Sequence, residues 1–276
     1  MNAFKAGERQ LSPAARLGLS ILVALFLGAC VSTTTTPGGN IESQSAAAKE
    51  KKRQNAAALN VQLGIAYLHQ NNLPLAKEKL DKAMKEEPRN PSVHSALALL
   101  YDRMGKPAQA DQEFREALRL APHDPDTLNN YAVYLCRTGR TDEGVKYFLD
   151  AANNALYSTP AAAFTNAGVC LRAAKRYDQA TVQFQRALSV RPNFAEAAYQ
   201  LVDTDFTLGA VKDARAQLDR YLSAFDATPD LLLIGVRIAR AQGDRLAAER
   251  FSRRLRVDFP SSEQVRLLSE LDRNPG

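Results

Sequence analysis

Residues 91–124 read PSVHSALALLYDRMGKPAQADQEFREALRLAPHD, and residues 125–158 follow the same plan as PDTLNNYAVYLCRTGRTDEGVKYFLDAANNALYS. Each stretch opens on a proline and carries a glycine at its fifteenth position, Gly105 and Gly139. On either side of that glycine, apolar residues recur at three- and four-residue spacing, the signature of an amphipathic helix. Two helices joined by a tight turn follow, because glycine tolerates the left-handed backbone of a helix C-cap. The plan extends in both directions. Numbering each unit from 1 places starts at Ala57, Pro91, Pro125, Ala161, Ala195 and Pro229, 34 residues apart except for one interval of 36.

Independent columns agree with this register. Position 20 is small throughout: Ala76, Ala110, Gly144, Ala180, Ala214 and Ala248. Position 8 is Gly64, Ala98, Ala132, Gly168, Val202 and Val236. Position 24 is large in five units (Leu80, Phe114, Phe148, Phe184, Leu218) and Ser252 in the last. Proline stands at position 32 in four units, where it ends the second helix. A 34-residue helix–turn–helix period with small residues at the crossing points is the tetratricopeptide repeat. The fold class expected is therefore all-α, a tetratricopeptide-repeat superhelix of six helix pairs over 57–90, 91–124, 125–158, 161–194, 195–228 and 229–262. A capping helix is expected over 263–272, since each repeat buries its face on a neighbour. The departures are the absence of Trp, Lys175 at the turn position of the fourth unit, and Tyr221 and Leu255 where earlier units have Ala. Two extra residues near 157–160 lengthen one loop.

Composition agrees. The 276 residues are 45% hydrophobic and 24% charged, within the range of foldable chains. Ala, the best helix former, supplies an unusually large share.

The N-terminal residues read as an address. Lys5, Arg9 and Arg16 precede LGLSILVALFL (17–27), which is too short to span a bilayer and reads as the core of a secretory signal peptide. Leu27-Gly28-Ala29-Cys30 resembles a lipobox, at which bacterial lipoproteins are cleaved and acylated. That resemblance implies a signal peptide over 1–29 and lipid chains on Cys30, with several chains giving a stable anchor. By the same resemblance Val31, rather than Asp, implies the outer membrane facing the periplasm. The formal net charge of +6 falls to about +4 once residues 1–29 are removed. Residues 30–45 are polar and small and read as a flexible linker, with the repeat domain over 46–276. Lys49, Lys51, Lys52 and Arg53 read either as a solvated helix face or as contacts to anionic headgroups.

No catalytic constellation emerges. His69, His94 and His123 do not pair at ligand spacing, and no phosphate-binding glycine loop is present. His94, at the large core-facing position 4, reads as packed. Basic and acidic residues alternate, as in DQEFREALRL (111–120), so no one-sided stripe for nucleic acid forms. The expectation is a non-enzyme with no metal, cofactor, nucleic-acid or small-molecule ligand. Cys136 and Cys170 fall in the first helices of adjacent units and in an oxidising compartment. They read as a disulfide clamp, with two buried thiols as the other reading.

Groove-facing positions in such arrays are 2, 5, 9, 12 and 13. In the first unit these are Ala58, Val61, Ile65, Leu68 and His69, mostly apolar. An uncovered apolar groove marks a partner site. Val61, Ile65, Leu68 and His69 are therefore the expected docking groove, unless the helix before Ala57 covers them.

The segments LNNYAVYLCRTGR (128–140) and FTNAGVCLRAAKRYDQA (164–180), with the lipobox and six repeats, resemble the type IV pilus biogenesis lipoproteins of the PilF/PilW family. That resemblance implies a pilotin, which helps the pilus secretin, a PilQ-type ring protein, to reach the outer membrane and multimerise. The implied partners are secretin subunits and, through the acyl chains, outer-membrane lipid. The alternative is another envelope scaffold, serving β-barrel assembly or peptidoglycan enzymes.

Overall fold

The computed structural model describes residues 38–273, and every described element is helical. Residues 47–276 form one compact unit. The expected signal peptide, Cys30 and the first part of the linker lie outside the described residues. The expected linker boundary is corrected: helix α1 (Gly38–His69) begins eight residues before Ala46.

The repeats are α1 with α2 (Leu73–Glu86), α3 (Pro91–Arg103) with α4 (Pro107–Leu120), α5 (Pro125–Arg137) with α6 (Thr141–Ala152), α7 (Pro160–Ala173) with α8 (Tyr177–Val190), α9 (Ala195–Thr207) with α10 (Val211–Ala224), and α11 (Pro229–Ala241) with α12 (Arg245–Asp258). Helix α13 (Glu263–Arg273) closes the array as a half-repeat, starting 34 residues after Pro229. Together they form the all-α tetratricopeptide-repeat superhelix.

One turn is used six times. All six residues at position 15 have positive φ, from 55° at Asn71 to 82° at Gly139. The following N–H donates back to the carbonyl of position 11 in every unit at 2.8–2.9 Å, as in Lys106 to Tyr101 and Arg176 to Leu171. This is the six-to-one bond of a Schellman cap. Lys175, the one residue poorly suited to this conformation, adopts it with φ 61°.

Helix pairs cross where glycine or alanine meets a large side chain. A Cβ on Gly64 would stand 2.6 Å from Leu80, and one on Gly168 would stand 2.4 Å from Phe184. In the sixth repeat this contact slips by one residue. Ser252 occupies position 24, so Phe251 supplies the knob and Gly235, at position 7, forms the hole, with 3.0 Å to a Cβ there. Tyr221 is accommodated where the first four repeats have alanine because its hydroxyl donates to the Asn193 carbonyl at 3.0 Å. After the third repeat, α6 stops at Ala152 and residues 153–159 form the long loop, tied back by Asn154 Nδ2 donating to the His123 carbonyl at 2.8 Å.

One basic residue of α1 has a local role. Arg53 lies beside Glu50 at 3.2 Å and donates to the Glu86 carbonyl at 2.5 Å, which ties α1 to the end of α2.

Candidate functional site

The first helices of successive repeats lie side by side, and their polar residues form a ladder on one face. Arg137 pairs with Asp102, and Asn166 donates to Asn129 at 3.3 Å. Arg172 reaches Asp203 at 2.7 Å, while Arg237 approaches the same carboxylate at 3.7 Å. Each link joins neighbouring repeats, so the face is a continuous surface. In a tetratricopeptide superhelix such stacking creates an extended concave binding surface.

The expected groove at repeat 1 requires correction. Val61 is 7% exposed and Leu68 is 6% exposed. Both belong to a core with Leu80, Leu97 and Leu100, and Ile65 packs against it half-buried. Helix α3 covers positions 5 and 12 of α1, because one first helix stacks on the next. Ser95 and Thr165, at position 5 of later repeats, are buried for the same reason. His69 is exposed, and nothing brings it together with an apolar groove.

What faces outward is position 9. Its column reads Ile65, Leu99, Val133 and Val169, then Asp203 and Arg237. Val133 is 46% exposed and Val169 38%, while Leu99 is half-buried. An apolar stripe therefore follows position 9 through repeats 1–4, half-buried at Ile65 and Leu99 and exposed at Val133 and Val169. The exposed Arg103 and Arg137 flank it at position 13. It ends at a cavity of about 340 Å³ lined by Val169, Arg172, Tyr177, Asp203 and Thr207. Burial pushes the Tyr199 phenol up, and Asp203 beside it adds to that, so Tyr199 is neutral here at physiological pH. Such a surface offers apolar contact along a line, with an Arg–Asp–Arg cluster at one end to fix direction.

Cys136 and Cys170 are joined by a disulfide with Cα atoms 5.7 Å apart. The bond links α5 to α7, with Cys136 three residues after Val133 and Cys170 next to Val169 in the chain. It clamps the junction where the 34-residue period is broken. The sequence did not yield the stripe because the groove positions were weighed repeat by repeat, where repeats 2 and 3 look mixed; reading position 9 as a column across repeats would have found it.

His94 is buried, as its position implies, and both ring nitrogens have acceptors. Nδ1 lies 2.6 Å from Glu113 Oε2, and Nε2 lies 3.0 Å from the Pro88 carbonyl. The Glu113 carboxylate, with the Pro88 carbonyl, raises its pKa against the opposing effect of burial. Among the described residues no cluster of His, Cys, Asp and Glu fit to hold a metal occurs. None of their helices is long and apolar enough to cross a membrane.

Comparison with known proteins agrees with this architecture. Tetratricopeptide-repeat family models match residues 95–163 and 171–233. The type IV pilus assembly protein PilF of Pseudomonas aeruginosa is 29% identical over 210 residues, covering 76% of this chain and 83% of that protein. An uncharacterised Haemophilus influenzae protein is 35% identical over 125 residues, 45% of this chain and 70% of its own length. The solved PilF structure superposes with a TM-score of 0.62 at 28% identity, covering 79% of this chain and 99% of that one. PilW, described as a widely conserved type IV pilus biogenesis factor, gives 0.61 at 28% identity over 77% and 97%.

Proposed function

Because the chain belongs to the tetratricopeptide-repeat family of type IV pilus biogenesis proteins that includes PilF and PilW, we propose that it acts as a pilotin for the pilus secretin. In this reading Cys30 carries the lipid that addresses the protein to the outer membrane on its periplasmic side. The residues between Cys30 and the repeats supply reach, and the array holds a secretin subunit. Anchoring and binding on one chain raise the local concentration of subunits at the membrane, which favours multimerisation. No bond is made or broken, so the role needs no catalytic residue or cofactor beyond the covalent lipid.

The observation that carries the reading is the apolar column Leu99, Val133 and Val169, exposed at the two valines, on the first-helix face of a chain related to PilF along most of its length. Exposed apolar surface rimmed by charged groups is the ordinary form of a protein-docking site. An extended or helical segment with apolar residues at regular intervals fits it. Deleting the gene and examining unheated envelope extracts for heat-resistant secretin multimers tests this. Loss of the multimers supports the pilotin. Persistence of the multimers with a general fall in outer-membrane proteins would assign the chain to β-barrel assembly instead.

A further inference from the structure

The sixth repeat ends the array with a feature that no other repeat has. Position 24 is Ser252 in place of the Leu or Phe found in the other five repeats. Its hydroxyl has no hydrogen-bond partner among the described residues. Ala248, at position 20, is 8% exposed where Ala76, Ala110, Ala180 and Ala214 are 0%. Ser252 and Ala248 line a cavity of about 880 Å³ between α12 and the ends of α11 and α13.

The wall of this cavity is cationic. Helix α12 carries five arginines against Glu249 and Asp258. Arg240, Arg245, Arg253 and Arg256 line the cavity, with Glu249 and Asp272 as its acids. Asp272 is engaged by Arg240 and, at 2.6 Å, by Arg256. Arg245 and Arg253 have no acidic partner among the described residues. They lie eight residues apart on one helix, about 12 Å along its axis, and both border the opening. An unpaired guanidinium presents a planar fork of donors matched to a carboxylate.

We propose that this cavity binds an acidic peptide segment whose carboxylates engage Arg245 and Arg253 while an apolar side chain enters over Ala248 and Ser252. Charge complementarity selects the ligand. Glu249 in the wall and Asp272 at one end oppose a continuous phosphate backbone or a flat anionic membrane. They leave room for separate carboxylates spaced along a peptide. The site lies at the terminal repeat and shares no residue with the stripe on repeats 1–4, so it stands apart from the pilotin reading.

The test is fluorescence anisotropy with the full-length protein in detergent and a labelled twelve-residue peptide of alternating glutamate and leucine. The matching glutamine–leucine peptide and phosphatidylglycerol vesicles are the comparison probes. The glutamate peptide is expected to bind at low salt, with affinity falling about tenfold in Arg253→Glu. Arg250→Glu, on the same helix but outside the cavity, should change it little. Ser252→Phe should block binding by filling the cavity while the circular dichroism spectrum is kept. Equal loss in Arg250→Glu and Arg253→Glu would reduce the effect to general charge and overturn the proposal. So would equal binding of the glutamine peptide, or binding of vesicles alone through Arg245 and Arg253.

Discussion

Gly144 lies directly against Cys136: a Cβ at position 144 would stand 2.5 Å from the Cys136 sulfur. Every other repeat has alanine at this crossing. The glycine is thus the space that the disulfide occupies. Gly144→Ala should destabilise the oxidised protein by about 1–3 kcal/mol through overpacking. In a Cys136→Ala, Cys170→Ala background the same substitution should cost less, leaving the tighter approaches to the Ala132 carbonyl and the backbone nitrogen of residue 136. A double-mutant cycle in urea measures the difference, and equal costs in both backgrounds would refute the coupling.

The disulfide itself spans 34 residues. Removing it should cost about 3–4 kcal/mol in the chain-entropy model. The expected outcome is a lower urea midpoint for the Cys136→Ala, Cys170→Ala protein. Limited proteolysis should first cleave the long loop 153–159, next to the released junction.

Lys175 holds a left-handed turn that glycine holds in four other repeats. Lys175→Gly should stabilise the fold by about 1 kcal/mol, because the strain of a positive φ exceeds the entropy glycine adds to the unfolded chain. Thermal denaturation reads the gain. Gly105→Lys in the second repeat should produce a loss of similar size.

His94 gives repeats 1 and 2 a pH-dependent contact. It faces Glu113 and Glu116 from α4 and the Pro88 carbonyl from the preceding loop. Its folded pKa is raised, chiefly by the Glu113 carboxylate. The stabilisation is therefore complete below the unfolded value of about 6.5 and is lost as pH rises through the folded value. The wild-type advantage over His94→Gln in melting temperature should be larger at pH 6 than at pH 9. An advantage that grew with pH would contradict this assignment.

Val133→Glu and Val169→Glu place charge on the exposed stripe. Each should leave stability within about 0.5 kcal/mol of wild type while heat-resistant secretin multimers disappear. Leu68→Glu should instead unfold repeat 1, since it buries a charge in the core with Leu80 and Leu97. Loss of multimers in a Val133→Glu protein that has also lost helix would count against the stripe as a docking site.

Local chemistry was enough to set the architecture. The period of 34, the turn residues from Asn71 to Gly243 and the small residues at positions 8 and 20 specify helix boundaries and pairing, because capping and close crossing depend on residues near in the chain. The same columns place Cys136 and Cys170 on adjacent helices. Which apolar residues remain exposed was decided only by tertiary packing. By residue type Val61 and Leu68 are as apolar as Val133 and Val169. They are buried because α3 stacks over positions 5 and 12 and leaves position 9 outward. The slip from Ser252 to Phe251, and the arginine-lined cavity beside it, likewise depend on how α11, α12 and α13 come together. Pattern along one helix cannot report what a neighbouring helix covers.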